Sequence, residues 1–173
     1  MSRSRVVALV VSSSIGLALA VALLRLPGSS PPASPGPPGD LHRVDAVALR
    51  VLHRWDARRA TAWSSGSPRR LGELYVPGSG AGADDVRLLE RYRARGFRVV
   101  AMATQVLALS VVAGGDDRWT LRVTDRLERA VAVRAGERTR LPRDAASTRV
   151  LTLMRGGDGR WRIAGVAEVD PAA

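Results

Sequence analysis

Residues 147–169 read STRVLTLMRGGDGRWRIAGVAEV, and this stretch decides the fold. Two runs rich in β-branched and alternating residues, Ser147–Met154 and Arg160–Val169, flank the sequence Gly-Gly-Asp-Gly at 156–159. An Asp-Gly pair between two such runs is typical of a tight hairpin. The stretch therefore predicts two antiparallel strands that are joined by a short turn.

Two longer strands are predicted immediately upstream, at Arg98–Ala113 and Arg118–Arg134. Residues 114–117, Gly-Gly-Asp-Asp, predict the turn between them, and residues 135–137 a turn or loop after the second strand. The second run alternates apolar and polar residues from Trp119 to Thr124. The first run is so densely apolar over residues 98–112 that a buried helix is the alternative interpretation.

The preceding part of the chain has the periodicity of helices. In Leu41–Ser64 the apolar residues recur at spacings of three, four and seven, and four arginines fall mostly on the other face. Asp40 is the predicted N-cap of this helix. A short second helix is predicted from Ser67-Pro68 to Tyr75, and a third over Ala83–Arg95, ending at Gly96.

Helices followed by an antiparallel meander predict an α+β domain over residues 41–169. The two long strands exceed the usual strand length, so we expect them to bend at bulges. A sheet that is bent in this way curls around the first helix. The expected fold is thus N-terminal helices packed on a curved antiparallel sheet, a cystatin-like cone with a pocket.

The N-terminal segment predicts membrane insertion. Residues 1–5 form a basic start, and the uncharged run Val6–Leu24 spans roughly 28 Å as a helix, close to the hydrocarbon thickness of a bilayer. We interpret it as a signal anchor with its N-terminus in the cytoplasm. Cleavage after Ala18-Leu19-Ala20, which would secrete the domain, is a second interpretation, and a buried core helix a third.

Two flanking segments complete the predicted organisation. Residues 25–40 are rich in Pro, Gly and Ser, which predicts an extended linker that holds the domain away from the membrane. Residues 170–173 form a short tail. Together with the anchor, these segments describe a cell-membrane protein with one span and an extracytoplasmic domain.

Composition excludes several classes of site. The chain has no cysteine and two histidines, which rules out a disulfide framework, a lipidated N-terminal cysteine, cysteine-bound zinc and a multi-histidine metal site. All 27 basic residues are arginine and the net charge is +11, a pattern best explained by a GC-rich coding bias like that of many actinobacteria. No basic run is interleaved with stacking aromatics, so we expect no nucleic-acid partner, and no motif indicates a cofactor.

Several segments resemble the nuclear transport factor two-like superfamily, including SnoaL-like domains. These are the run from Trp55-Asp56-Ala57-Arg58-Arg59-Ala60 to Trp63, the segment from Leu71 to Leu74-Tyr75, and Arg160-Trp161-Arg162-Ile163 in the last strand. The resemblance covers about Leu41 to Val169 and is greatest to membrane-anchored extracytoplasmic actinobacterial members. It implies the cone fold, and for activity either isomerase-, cyclase- or dehydratase-like chemistry or none.

The resemblance to ketosteroid-isomerase-type members implies a tyrosine donor and carboxylates in an apolar pocket, where burial raises a carboxylate pKa. Tyr75, Tyr92, Asp56 and Asp125 are the available groups, and none matches the catalytic positions of that pattern. Asp56 has Arg neighbours on its helix, which favours a surface ion pair. Asp125 either faces the cone or pairs with a charge on a neighbouring strand, and the pairing is favoured.

Four residues are the candidate ligand-binding set, namely Trp55, Tyr75, Asp125 and Arg143; no catalytic or metal-binding residue is predicted. Arg143 follows Pro142 in a loop, where it either presents a cation to an anionic ligand or forms a local pair with Asp144. The four tryptophans are interpreted mainly as core packing. His53 alone does not indicate catalysis.

Two functions follow as hypotheses. The first is a membrane-tethered, non-catalytic interaction domain of the bacterial envelope, which binds an envelope protein or an anionic surface. The alternative is a small-molecule binder or acid–base enzyme that uses the cone; an open pocket with a buried carboxylate beside a tyrosine would favour it. A homodimer through the outer face of the sheet is left open, as are partner contacts through the small residues Ser12 to Gly16 of the anchor.

Overall fold

The computed structural model describes residues 38–169, with side chains from Arg43 onward. This part contains three helices and five strands in the predicted order: α1 (Pro38–Ser65), α2 (Pro68–Gly72), α3 (Gly80–Ala94), β1 (Arg98–Gly114), β2 (Arg118–Arg134), β3 (Glu137–Arg140), β4 (Ser147–Arg155) and β5 (Trp161–Glu168). The predicted span 6–24, most of the linker and the tail lie outside the described residues. Among the helices described here, none is long and apolar enough to cross a membrane.

The helices begin and end where local chemistry requires it. α1 starts at Pro38, inside the predicted linker, so Asp40 lies within the helix and its prediction as N-cap is wrong. The Ser67 hydroxyl accepts a hydrogen bond from the Arg70 N–H at the start of α2, and Ser79 does the same for Gly82 at the start of α3. Gly96, with a φ of 75°, ends α3 as predicted.

The sheet is antiparallel, in the order β1-β2-β4-β5, and β3 pairs with the end of β2 that β4 leaves free. β1 is a strand over its whole length, so the alternative of a buried helix is wrong. β3 was missed, because residues 135–137 were predicted only as a turn or loop. In the structure Ala135 and Gly136 both have positive φ and form the two-residue turn of a hairpin.

The long hairpin of β1 and β2 is bent, as the strand lengths predicted. Its pairing register shifts at four places along β1, and Ala101 in the first of them has a φ of 54°. One further shift lies between Thr152 and Leu153 in the pairing of β4 with β5. Such bulges increase local twist, so the sheet curves and its concave face receives the helices.

The core lies between α1 and this concave face. Its fully buried side chains include Leu71, Leu121, Val123 and Leu153, contributed by α2, β2 and β4. The tryptophans pack as predicted: Trp55 and Trp63 are buried in α1, whereas Trp119 and Trp161 are half-buried and stack on each other with ring centroids 4.2 Å apart. The described residues thus form an α+β fold with helices packed on a curved antiparallel sheet.

Candidate functional site

A cavity of about 270 Å³ lies between helices α1 and α3 and the sheet. Much of its wall is apolar, and charged groups are grouped within it. The lining residues are Arg59 and Trp63 from α1, Leu88 and Tyr92 from α3, Val99, Met102 and Thr104 from β1, Asp125, Arg126, Leu127 and Ala130 from β2, Leu141, Asp144 and Ala145 from the loop after β3, and Ser147 and Arg149 from β4.

The buried carboxylate of Asp85, which is 8% exposed, lies behind one wall of the cavity. Arg59 donates to both of its oxygens, at 2.7 and 2.6 Å. The Tyr75 hydroxyl donates to Oδ2 at 2.7 Å, and the Trp63 indole N–H to Oδ1 at 3.2 Å. A buried charge with four donated bonds is fully satisfied, so this network is structural and fixes the side chain of Arg59.

The titration behaviour of this network agrees with that role. Burial alone would lower the pKa of Arg59, but the charge and hydrogen bonds of Asp85 hold it above its usual value. Burial raises the pKa of the Tyr75 hydroxyl well above its usual range, which keeps it protonated as a donor. The guanidinium is therefore a permanent cation at the cavity wall, and within residues 43–169 its Nη1 has only the Met102 sulfur, at 3.8 Å, as a partner.

A second ion pair lies on the sheet side of the cavity. Asp125 in β2 is 4% exposed, and both of its oxygens accept from Arg149 Nη2 of β4, at 2.7 and 2.5 Å. The Nε of Arg149 is buried and has no hydrogen-bond partner among the described residues. Each of the two arginines thus keeps a donor without an oxygen partner, and both line the same cavity.

Asp56 lies near these two pairs on α1, one turn before Arg59. Burial raises the pKa of Asp56 to about 6; the positive charge of Arg59 opposes this shift, and the negative charge of Asp125 adds to it. Within residues 43–169 its carboxylate forms no hydrogen bond or ion pair. The predicted ion pair on the helix surface is therefore wrong, because Asp56 faces the sheet side of the helix and is half-buried.

The loop at 141–146 borders the mouth of the cavity. Its backbone is attached to β2 through Leu141 N–H, which donates to Ala130 O at 2.9 Å, and Asp144 N–H, which donates to Leu127 O at 3.3 Å. Arg143 donates to the Glu128 carboxylate at 2.5 Å. The predicted local pair of Arg143 with Asp144 is thus replaced by a pair with the neighbouring strand.

The four predicted ligand-binding residues lie in different places. Asp125 lines the cavity, and it both faces the cone and pairs with a neighbouring strand. Trp55 and Tyr75 pack edge to face in the core, where the Trp55 indole N–H donates to Leu74 O at 2.9 Å. Arg143 is engaged with Glu128 beside the cavity mouth. Ligand binding by these residues stays a prediction.

Three residues of the site were not singled out from the sequence. Arg59, Asp85 and Arg149 are far apart along the chain, and each sits among other charges of the same kind. One signal was available for Asp85: it follows Ser79-Gly80-Ala81-Gly82 in the first turns of α3, at a spacing that turns it toward the core with Leu89. Nothing comparable distinguishes Arg149 from the other strand arginines.

A second hollow, of about 230 Å³, lies between α1 and β1 and includes Asp45 and His53. Asp45 Oδ1 accepts from the Val111 N–H of β1 at 2.8 Å, and His53 is exposed. The walls are otherwise Ala, Val and Leu side chains. In the part of the chain that the structure describes, no group of three His, Asp or Glu residues could hold a metal ion.

No family model and no curated protein sequence matches this chain. Among solved structures it is similar to a protein from Catenulispora acidiphila, with 17% identity, 73% of this chain and 93% of that chain covered, and a TM-score of 0.49. It is also similar to a nuclear transport factor 2-like superfamily protein from Salmonella enterica serovar Typhimurium, with 12% identity, 74% and 94% coverage, and a TM-score of 0.45.

A third similar structure is an uncharacterised protein with a cystatin-like fold from Caulobacter vibrioides, with 15% identity, 72% and 92% coverage, and a TM-score of 0.41. The neighbours thus include proteins of the superfamily and of the fold that the sequence resembles. Similarity at this level does not assign a function to this chain. The function has to be inferred from its own cavity.

Proposed function

We propose that the domain binds a small molecule in the cavity between the helices and the curved sheet. The observation that supports this is the cavity itself: about 270 Å³ of space lined by the buried carboxylate of Asp125, a tyrosine and three arginines. A domain that only docks onto another protein needs no such space. Concave sites that combine apolar walls with convergent polar groups are the usual form of a small-molecule site.

The donors in the cavity favour a particular ligand chemistry. Among the described residues, Arg59 Nη1 has only the Met102 sulfur as a partner, and both residues line the cavity. A buried donor without an acceptor is costly, so a ligand oxygen at this place would be stabilising. Because each arginine already has its own carboxylate, an uncharged acceptor fits better than a second anion. The expected ligand has an apolar body and a carbonyl-like oxygen.

Acid–base catalysis is the second candidate function, and Asp56 is the observation that favours it. Its carboxylate has a pKa of about 6 because of burial. A carboxylate that titrates there is a competent general base near neutral pH. It lies one turn from Arg59, whose donor would polarise the acceptor oxygen of a ligand. Asp56 is outside the lining of the cavity, so a role as general base requires that the bound molecule extend past Arg59 to this carboxylate.

We place this binding domain outside the cytoplasm, held at the bacterial cell membrane by Val6–Leu24 and the linker. The support is the sequence alone: an uncharged run of sufficient length, basic residues before it, and a proline-rich stretch after it. An envelope protein as an additional partner, or a homodimer, is compatible with this arrangement. The coding bias toward arginine is consistent with an actinobacterial source.

The binding proposal is tested by blocking the mouth of the cavity. Ala145 is exposed and lines the cavity, whereas Ala146, its exposed neighbour, does not. The full chain is titrated with 2-acetylnaphthalene, naphthalene and 2-naphthoate, and binding is followed by ligand-observed NMR. We expect 2-acetylnaphthalene to bind about tenfold more tightly than naphthalene because of its hydrogen-bonded oxygen. Ala145→Trp should abolish binding, and Ala146→Trp should leave it unchanged.

Two results would contradict the proposal. One is that none of the three compounds binds; the other is that both tryptophan variants bind as well as the original chain. A preference for 2-naphthoate would instead keep the cavity as a binding site and overturn the inference about an uncharged ligand. Circular dichroism of both variants shows whether the fold is retained.

A further inference from the structure

The exposed face of α1 carries a row of arginines. Arg43, Arg50, Arg54 and Arg58 are all exposed, and at spacings of seven and four they fall on one stripe of the helix. We call these four residues the arginine row. At the rise of an α-helix the row is roughly 22 Å long. The two carboxylates of the same helix stretch, Asp45 and Asp56, lie on the opposite side and contact β1 or face the sheet.

The charges of the arginine row are not neutralised within the described part of the chain. None of its four members forms an ion pair there, although the charged residues of β2 and β4 that line the cavity do. Arg54 donates only to the Arg50 carbonyl, and Arg58 only to Trp161 O at 3.4 Å. Exposed guanidinium groups in a row, without acidic neighbours, form a surface that attracts anions.

The row continues onto the start of β5. Burial lowers the pKa of Arg58, and the nearby positive charges of Arg160 and Arg162 lower it further. Asp158 is the acidic group at this end, and it pairs with both Arg162, at 2.6 Å, and Arg160, at 4.0 Å. At this end the arginine row therefore has more positive than negative charge. Repulsion between these like charges is unfavourable unless an external anion compensates it.

We propose that the arginine row lies against anionic lipid headgroups of the membrane to which the chain is tethered. The proposal rests on the tether proposed above. A linker of residues 25–37 reaches at most roughly 40 Å, so the domain stays close to the bilayer and the local concentration of headgroups is high. A row of exposed arginines along one helix face, without interleaved aromatic rings, suits a lipid surface better than the stacking groove of a nucleic-acid binder.

The test uses the full chain in lipid nanodiscs and takes advantage of the absence of cysteine. Thr61→Cys places a single fluorophore on the same exposed stripe as the row, and Ala83→Cys places one on α3 as a positional control. Quenching by a spin label on the lipid headgroup is compared in phosphatidylcholine discs with and without phosphatidylglycerol. Carbonate extraction of the same chain from vesicles measures the tether independently.

A charge-matched pair of variants isolates the row. Arg43→Gln, Arg50→Gln and Arg54→Gln are combined in one variant; Arg91→Gln, Arg138→Gln and Arg140→Gln, three exposed arginines elsewhere in the fold, are combined in the control. We expect quenching of the fluorophore at residue 61 only with phosphatidylglycerol. The ratio of docked to undocked domain should fall about fivefold for each row arginine removed, and added salt should weaken it. The control variant should behave like the original chain.

Several outcomes would overturn the proposal. Equal quenching with and without phosphatidylglycerol would do so, as would the same loss in both triple variants. A short RNA duplex is also added at a concentration below that of the lipid. If it displaces the domain from the discs, the row binds nucleic acid instead. If carbonate releases the chain, the tether is wrong, and binding of the released chain to phosphatidylglycerol vesicles then decides on the row by itself.

Discussion

Asp85 shows how a buried charge is accommodated in this fold. Its two carboxylate oxygens accept four hydrogen bonds, from Arg59, Tyr75 and Trp63. The net gain of such a pair over apolar packing is small, but the loss of one partner is large, because the other charge stays behind without compensation. The pair therefore specifies one arrangement of α1 and α3 beside the cavity.

The substitution Asp85→Asn should destabilise the domain by about 3 kcal/mol, since it leaves the Arg59 guanidinium uncompensated in the wall. Asp84→Asn is the matched control, because Asp84 pairs only with Arg87 on the surface. A surface pair of this kind contributes under about 1 kcal/mol. Urea unfolding of both variants, followed by tryptophan fluorescence, measures the difference; equal free energies of unfolding would contradict the structural role of Asp85.

Asp56 predicts a pH dependence whose sign follows from its raised pKa. Burial shifts this pKa from 3.8 to about 6, so the folded state holds its proton more tightly than the unfolded state. Ionisation of Asp56 therefore lowers stability as the pH rises from about 4 to about 6, and the loss is complete above that range. Asp56→Asn removes this dependence.

The expected result is that Asp56→Asn gains stability relative to the original chain between pH 4 and pH 7, by on the order of 2 kcal/mol. Urea unfolding at several pH values gives this difference directly. A carbon-13 titration of the Asp56 carboxyl should have its midpoint near 6. A stability difference that is the same at both pH values would show that the carboxyl is not shifted by burial.

Single residues of the site were only partly predictable from the sequence. Asp125 was named as a candidate because Asp125 and Arg126 point to opposite faces of a strand, but alternation alone left open which of them faces the cone. Asp56 was misassigned, because its arginine neighbours in sequence suggested a surface ion pair. Which face of α1 is buried depends instead on how the helix packs on the sheet. Arg59 and Asp85 were missed, since their contact joins two helices that are separated by a turn, a short helix and a loop.

At the scale of elements, the close approach of α3 to Tyr75 depends on one glycine. A Cβ atom at Gly82 would lie 2.7 Å from Tyr75 Cβ and 2.8 Å from its Cγ. Neither atom is the flexible end of a side chain, so the helix or the tyrosine would have to move. The absence of a side chain at residue 82 therefore allows α3 to bring Asp85 to the Tyr75 hydroxyl.

Gly82→Ala should lower the free energy of unfolding by about 1–3 kcal/mol, as overpacking does in well-filled cores. Gly80→Ala is the control on the same helix, because a Cβ there meets nothing within 4 Å. Alanine is the better helix former, so Gly80→Ala should be neutral or slightly stabilising. Thermal unfolding by circular dichroism ranks the two variants, and an equal effect of both would refute the packing argument.

The elements themselves were largely predictable. The bounds of β2 and the starts of β1 and β4 agree with the prediction, because turn residues with glycine and aspartate separate runs of clear alternation. β3 was missed, since its four residues, Glu-Arg-Thr-Arg, contain no apolar side chain and pair through the backbone alone. The early start of α1 was missed because proline at a first helical position also reads as part of a linker.

At the scale of the whole molecule, the excess of positive charge is the main feature of the surface, and the predicted membrane span decides where the domain is expected to lie. The chain has 27 basic and 16 acidic residues, and the arginine row collects part of the surplus on one face. The order of helices before strands and the curvature of the sheet could be predicted, since both follow from pattern and strand length. The cavity could not, because its size depends on how closely α1, α3 and the loop at 141–146 approach the sheet.

The predicted placement of the domain has a direct measurement. Alkaline phosphatase is active only outside the cytoplasm, so its fusion after residue 40 should be active, and a fusion of β-galactosidase at the same point should be inactive. Asp or Arg substitutions at Val10 and Leu17 in the middle of Val6–Leu24 cost about 3 kcal/mol each in a bilayer and should abolish the phosphatase activity. The reverse pattern of activities would place the cone in the cytoplasm.

The bulges of β1 have a consequence for concentrated solutions of the protein. β1 is the first strand of the sheet order, and Asp45 of α1 accepts from its Val111 N–H; the rest of such an edge is a template on which a second chain can add. An added strand needs an evenly spaced series of N–H and C=O groups, and the register of β1 shifts at four places along its length. We therefore expect the irregularities that curve the sheet to protect its edge from amyloid-like growth.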